Sequence, residues 1–192
     1  MGQCGNRAVF KNGYAARTVT MSLQEHLIRY AQKYRSTGVM LDTNLLLLYV
    51  FSRFSQDMIG IGRLAAYDAD SADLLLQYLA HFERILTTAH VLAETSNLAR
   101  QMVKGGKWKA MCEAVFPLFC LPEQSALKPV GVNTEMLDPG SFSKLGLTDA
   151  ALAQSAATHL LLTADLDLYC AVVSAGNDAV NFTHMREAAG LL

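Results

Sequence analysis

Apolar positions in this chain come in short unbroken runs separated by polar, helix-starting stretches. Val39-Met40-Leu41 follows Gly38 as one such run. Three apolar residues without alternation predict a strand buried on both faces, as in a parallel sheet. The run breaks at Asp42. Thr43 and Asn44 favour helix starts, and Leu45 to Phe51 is an apolar stretch long enough to begin a helix. Ligands of open parallel sheets bind beyond the carboxyl ends of the strands. Asp42 therefore has two readings here, a site carboxylate or a plain helix cap.

The same alternation continues on both sides. Ser22 with Glu25 three residues on predicts a capping box and a helix from Leu23 to about Tyr34. Its apolar stripe is Leu23, Leu27, Tyr30 and Tyr34, and Ser36-Thr37-Gly38 ends it. A loop or broken helix is expected around Gly60 and Gly62, then a helix from Asp70 or Ser71 through Phe82. Arg84 to Thr88 reads as a second strand, and Ala89 to Met102 as a helix carrying Glu94, broken by Gly105-Gly106. Lys107 to Phe119 reads as a helix that Pro117 bends or ends. An edge strand is expected over Lys128 to Val132, and a helix over Ala150 to Ala157, opened by Thr148-Asp149. His159 to Thr163 is the clearest later strand, followed by Ala164-Asp165-Leu166-Asp167, a helix over Leu168 to Ala175, and a last strand over Ala179 to Phe182. Strands alternating with helices predict an α/β fold with a mainly parallel sheet.

Of the 192 residues, 52% are hydrophobic and 17% charged, enough for one globular domain with a substantial core. No apolar run approaches the roughly 18–20 residues that cross a bilayer, and Met1 to Phe10 lacks the apolar segment of a signal peptide. Met1 to Asn6 begins like a myristoylation signal, but Asn6 stands where Ser or Thr is wanted. The expectation is a cytoplasmic protein without a membrane partner. Cys4, Cys112, Cys120 and Cys170 show no metal-ligand spacing; the last three have apolar neighbours and read as reduced core thiols. Net charge is −1, yet residues 1–36 hold Arg7, Lys11, Arg17, Arg29, Lys33 and Arg35 against Glu25 alone. Residues 1–37 thus read as a basic leader with one helix, and 38–192 as the main domain. The leader's charge suits an anionic partner, the acidic body itself, or simply solvent.

Two strands end beside acids, at Asp42 and Asp165. Two helices add Glu94 and Asp149 near what should be the same rim. Each also has a plainer reading: Asp149 and Asp165 as caps, Glu94 as a solvated helix position. Like charges 4 Å apart repel by about 4 kcal/mol at an effective dielectric of about 20. Converging carboxylates therefore call for a hard divalent cation, Mg²⁺ or Mn²⁺, which suits hydrolysis of a phosphodiester.

The order Leu-Asp-Thr-Asn, then Thr-Thr-Ala-His-Val-Leu-Ala-Glu-Thr-Ser-Asn, then Thr-Asp-Ala, then Leu-Leu-Thr-Ala-Asp-Leu-Asp-Leu resembles a PIN domain over roughly Gly38 to Phe182. The resemblance implies a three-layer α/β/α sandwich with a mainly parallel sheet of four or five strands. It also implies a metal-dependent endoribonuclease, in many members the toxin of a toxin–antitoxin pair. On that pattern Asp42, Glu94, Asp149 and Asp165 are the four acids, Asp167 an auxiliary acid, and Thr43, Asn44 and Thr163 polar support for the first and fourth acids. An RNA substrate, a cognate antitoxin and a homodimer follow as partners by the same analogy. The leader and the stretch between Met102 and Thr148 are additions to a minimal toxin.

The rival from another class is a PIN-like scaffold that binds RNA or protein without cutting. A phosphatase with a nucleophilic aspartate fits poorly, because Asn44 stands where such enzymes carry a second Asp. Arg100, Lys104, Lys107 and Lys109 with Trp108 read either as a phosphate-tracking patch with one stacking surface or as a solvated helix end over a buried tryptophan. His90 is near enough to Glu94 in sequence to be a general base, but is read first as satisfying a backbone group.

Overall fold

The computed structural model describes residues 22–120, 127–133, 137 and 139–192. Residues 1–21, with Cys4 and half of the leader's basic residues, lie outside that set, as does Pro122. In chain order the elements are α1 (Leu23–Lys33), β1 (Val39–Leu41), α2 (Thr43–Phe54), α3 (Ala69–Leu79), β2 (Ile85–Thr88), α4 (Ala89–Met102), α5 (Gly106–Cys120), β3 (Leu127–Val130), α6 (Pro139–Leu145), α7 (Leu147–Ser155), β4 (Leu160–Thr163), α8 (Leu166–Ser174), β5 (Ala179–Asn181) and α9 (Phe182–Ala188). Two short 3-10 turns, Gln56–Met58 and Gly62–Leu64, join α2 to α3.

The strands form one parallel sheet in the order β3-β2-β1-β4-β5, with helices packed against it as a three-layer α/β/α sandwich. The order reverses between β1 and β4, so their carboxyl ends flank the switch-point crevice where such sheets bind ligands. β1, β2, β4 and β5 are buried throughout, which is why they read as unbroken apolar runs. β3 is an edge strand and half-buried; there Pro129, which cannot donate to a ladder, is tolerated.

α2 is buried on nearly all sides: Leu45, Leu46, Leu47, Leu48 and Phe51 have no exposed surface. Each such side chain contributes roughly 1.5–3 kcal/mol relative to exposure. The helix packs against α3, α4 and α5 and touches β1 and β4, so its first turn is fixed at the centre of the sheet's rim. α1 carries the expected capping box, Ser22 with Glu25. It buries Ala31 and packs Leu27, Tyr30 and Tyr34 on the core. Lys33 and Arg35 of the leader pair with Asp178 and Glu83 of the body.

Several expectations need correction. α5 runs past Pro117 to Cys120; a proline near a helix end removes one backbone bond and leaves the others standing. Cys112 and Cys170 are free thiols but exposed. Among the described side chains, the buried hydrophobic positions on α5 are Met111 and Val115, and on α8 they are Leu168 and Val172. Each cysteine is turned off that stripe, so apolar neighbours in sequence are not neighbours in space. β5 stops at Asn181, whose side chain caps α9 by accepting the N–H groups of Thr183 and His184. Among the described residues no helix is long and apolar enough to cross a membrane.

Candidate active site

Asp42 follows β1 and is 3% exposed. It caps a helix and also faces a cavity. Its Oδ1 accepts the N–H of Leu45 at 2.7 Å and so caps α2. Its Oδ2 accepts the Thr163 hydroxyl at 2.5 Å and the Ala164 N–H at 2.8 Å. The parallel register pairs Leu41 with Leu162, which sets Thr163 beside Asp42. With two acceptor positions per oxygen, Oδ2 is filled and Oδ1 keeps one. Burial pushes the Asp42 carboxyl up; hydrogen bonds from Thr163, Leu45 and Ala164 pull the other way, and the charge of Asp165 adds to the rise.

Thr163 also binds the fourth acid's loop. Its Oγ1 accepts the N–H of Asp165 at 2.9 Å. Asp165 caps α8 by accepting from Leu168 N–H at 2.8 Å, and its side chain is exposed. Glu94 sits on α4 one position off the buried stripe Val91, Thr95, Leu98 and Ala99, exposed at the pocket edge. The Thr43 hydroxyl donates to its Oε2 at 3.0 Å. Thr43 therefore supports the second acid rather than the first or fourth. Asp149 is in the first turn of α7, whose cap is Gly146, so capping does not explain it.

These four acids line one cavity of about 280 Å³, together with Thr43, Asn44 and Arg63. Asp149 is half-buried there, and its carboxyl is pushed up to about 6, first by burial and then by the charges of Asp165, Asp42 and Glu94. The part of that rise that comes from the three charges reflects the convergence of acids that their positions in the sequence predict. The amino ends of α2 and α8, capped by Asp42 and Asp165, supply partial positive charge against it. Arg63 adds a whole one. It sits in the Gly62–Leu64 turn, held by fully buried Leu64. No motif marked it, because the turn has no periodicity.

The donor set, four carboxylates with hydroxyl support, is the chemistry that Mg²⁺ or Mn²⁺ prefers. Among the described residues, no three Asp, Glu, His or Cys side chains stand close enough together to hold an ion as they are. Glu94 and Asp165 are the exposed members, whose side chains turn most cheaply. Asp167 is exposed in the first turn of α8 and is not part of the cavity lining.

The basic patch lies apart from this cavity. None of Arg100, Lys104, Lys107, Trp108 and Lys109 lines it. Trp108 is half-buried against the core and lines a separate apolar groove, with the Arg100 guanidinium 5.8 Å from its ring centre. Lys107 and Lys109 stand 3.9 Å and 3.8 Å from Asp57 and Glu113. His90 does not line the acid cavity either. Its Nδ1 is buried without a hydrogen-bond partner among the described residues, so it satisfies no backbone group there.

No protein-family model matches the chain, and no curated protein matches it at a significant level.

Proposed function

We propose that the chain is a metal-dependent endoribonuclease that hydrolyses RNA phosphodiester bonds in the acid cavity, with Asp42, Glu94, Asp149 and Asp165 holding Mg²⁺ or Mn²⁺. One observation carries the reading: acids from four separate elements line a single cavity at the switch point, where burial first and the neighbouring carboxylates second push Asp149 up to about 6. A divalent cation bound there makes water more acidic and offsets the charge that builds on the phosphate oxygens. The chain's own residues do the rest. Thr163 fixes Asp42 and the Asp165 loop together, and Thr43 holds Glu94 toward the cavity. Arg63 offers a guanidinium on the same wall, suited to a phosphate oxygen. The auxiliary role for Asp167 and the roles of toxin, antitoxin partner and homodimer are carried by the PIN resemblance alone.

The test is cleavage of labelled single-stranded RNA by the full chain with Mn²⁺, beside Asp42→Asn and Glu94→Gln. Each variant should lose about a hundredfold or more. Undiminished cleavage by pure Asp42→Asn sinks the reading.

The second reading, a PIN-like module that binds RNA or protein without cutting, is favoured by one observation. The acids do not stand at ion-holding distance as they are. Melting curves separate the two: a saturable rise with Mn²⁺ in the parent, absent from Asp42→Asn, supports an ion site.

A further inference from the structure

A second cavity, of about 420 Å³, opens between α1, α8 and the outer strand β5. Its size falls in the range of small-molecule sites, about 300–1,000 Å³. Four aromatic rings line it in two pairs. His26 and Tyr30 of α1 have ring centres 6.2 Å apart, and Tyr169 of α8 and His184 of α9 meet edge to face at 5.8 Å. Asn181, on the same wall, spends its side-chain oxygen on the cap of α9, and no hydrogen bond within the protein takes its amide N–H groups among the described residues.

Two backbone links run from the wall of this cavity to the acid site. Asn181 pairs in register with Thr163, the residue bound to Asp42 and to the Asp165 backbone. Tyr169 lies one helical turn from Asp165, its N–H bonded to the Asp165 carbonyl at 3.0 Å. The residues that bring acids to one cavity thus bring rings to the next.

We infer that the cavity lined by Tyr169, His184, His26 and Tyr30 is a nucleobase subsite, holding the base of a nucleotide beside the phosphate that the acid cavity acts on. The inference rests on the nuclease reading for the strand it serves. The lining contains no lysine or arginine, and its one carboxylate, Asp178, is bound by Lys33 and Tyr34. The cations at its margin are engaged, Lys33 with Asp178 and Arg29 over the Tyr30 ring, so the lining suits a neutral planar ring better than a phosphate. Every base has such a face, so stacking is tolerant of sequence. The Asn181 amide supplies donors for the carbonyl or ring-nitrogen edge of a base.

The experiment uses the full chain carrying Asp42→Asn, so that RNA is bound without being cut. Affinity for a short fluorescent single-stranded RNA is read by anisotropy. Tyr169→Ala and, separately, the exposed His184→Ala should each weaken binding roughly tenfold, and Tyr169→Phe should retain it. Moving one abasic position along the RNA should find a site that reproduces the loss in the parent. That same RNA should lose nothing further with Tyr169→Ala. Unchanged affinity in both alanine variants overturns the subsite, as do abasic losses that add in full to theirs. If that happens while the Asp42 protein still cuts RNA, the subsite alone falls. A parent that binds no RNA removes the nuclease reading with it. An oligonucleotide displaced by an extended peptide, with no abasic dependence, would mean that the β5 edge takes a protein strand instead.

Discussion

The Thr163 hydroxyl donates to Asp42 Oδ2 at 2.5 Å while its oxygen accepts the Asp165 N–H at 2.9 Å. One fully buried side chain therefore ties the carboxyl end of β1 to the loop after β4. Thr163→Val keeps the shape and deletes both bonds. It leaves a buried carboxylate short of one donor and a backbone N–H without its acceptor. The expected destabilisation is about 1–3 kcal/mol, read by denaturant melts. If the acid cavity is catalytic, RNA cleavage should fall about 10–100-fold. Thr163→Ser should recover most of both.

Crowding at Asp149 makes a prediction about pH. Its carboxyl titrates at about 6 in the fold, raised by burial and by Asp165, Asp42 and Glu94. Its unfolded value is near 3.9. The folded chain binds the extra proton, so this contribution is fully present below about pH 4 and is lost as pH rises through 6. Asp149→Asn cannot lose it. Without divalent ions the variant should therefore gain on the parent between pH 4 and pH 7, by about 1 kcal/mol once solvent screening at this half-exposed group is allowed for. Saturating Mn²⁺ should reverse the order at pH 7, because the parent keeps a ligand that the variant lacks. Parallel melting curves across that range would show that Asp149 feels no crowding.

The strands and the acids were legible because each has a strong local signal. A strand buried on both faces is an unbroken apolar run, and an acid where such a run breaks stands out, as Asp42 and Asp165 do. Asp149 was legible only as a member of the set, since its own context, Thr148-Asp149, looks like a cap. The signals that failed are those in which distance along the chain misleads. Cys112 and Cys170 have apolar sequence neighbours but lie off the buried helical stripes. Trp108, read either as a stacking surface or as a buried ring, packs half-buried on the core beneath Arg100. α9 was hidden because Phe182 extends the apolar run of β5, while Asn181 stops the strand by capping. Arg63 gave no signal, since an irregular turn carries no period and only tertiary packing brings it to the cavity.

α1 belongs to the folded body through Asp178. Lys33 Nζ lies 2.6 Å and the Tyr34 hydroxyl 2.9 Å from its Oδ2. Burial pushes the Asp178 carboxyl up, but those two hydrogen bonds and the Lys33 charge outweigh it and hold the group below its usual range. A depressed carboxyl contributes stability above its unfolded value and loses it as pH falls through its folded one. Asp178→Asn should cost about 1 kcal/mol at pH 7, and the difference should shrink as pH falls below the usual carboxylate range. The measurement is the pair of melting curves at pH 7 and in acid. A loss that persists unchanged in acid would mean that shape, not charge, docks α1.

Gly38 sets the start of the central strand, and its requirement is severe. Its φ is +97°, and a Cβ there would lie 2.7 Å from the Arg84 carbonyl oxygen. That oxygen already accepts the Val39 N–H at 3.1 Å, the first bond between the β1 and β2 edges. Moving the backbone to make room would break this bond and shift β1, and with it Asp42. Gly38→Ala should therefore destabilise by about 2 kcal/mol or more, or roughly 4–8 °C in melting temperature for a chain of this size. Gly190 is the control: its φ is +72°, but nothing lies within 4 Å of a Cβ placed there. Gly190→Ala should show the backbone strain alone, with a smaller drop and unaltered RNA cleavage. Equal losses for the two variants would mean that the Arg84 contact adds nothing beyond the left-handed backbone.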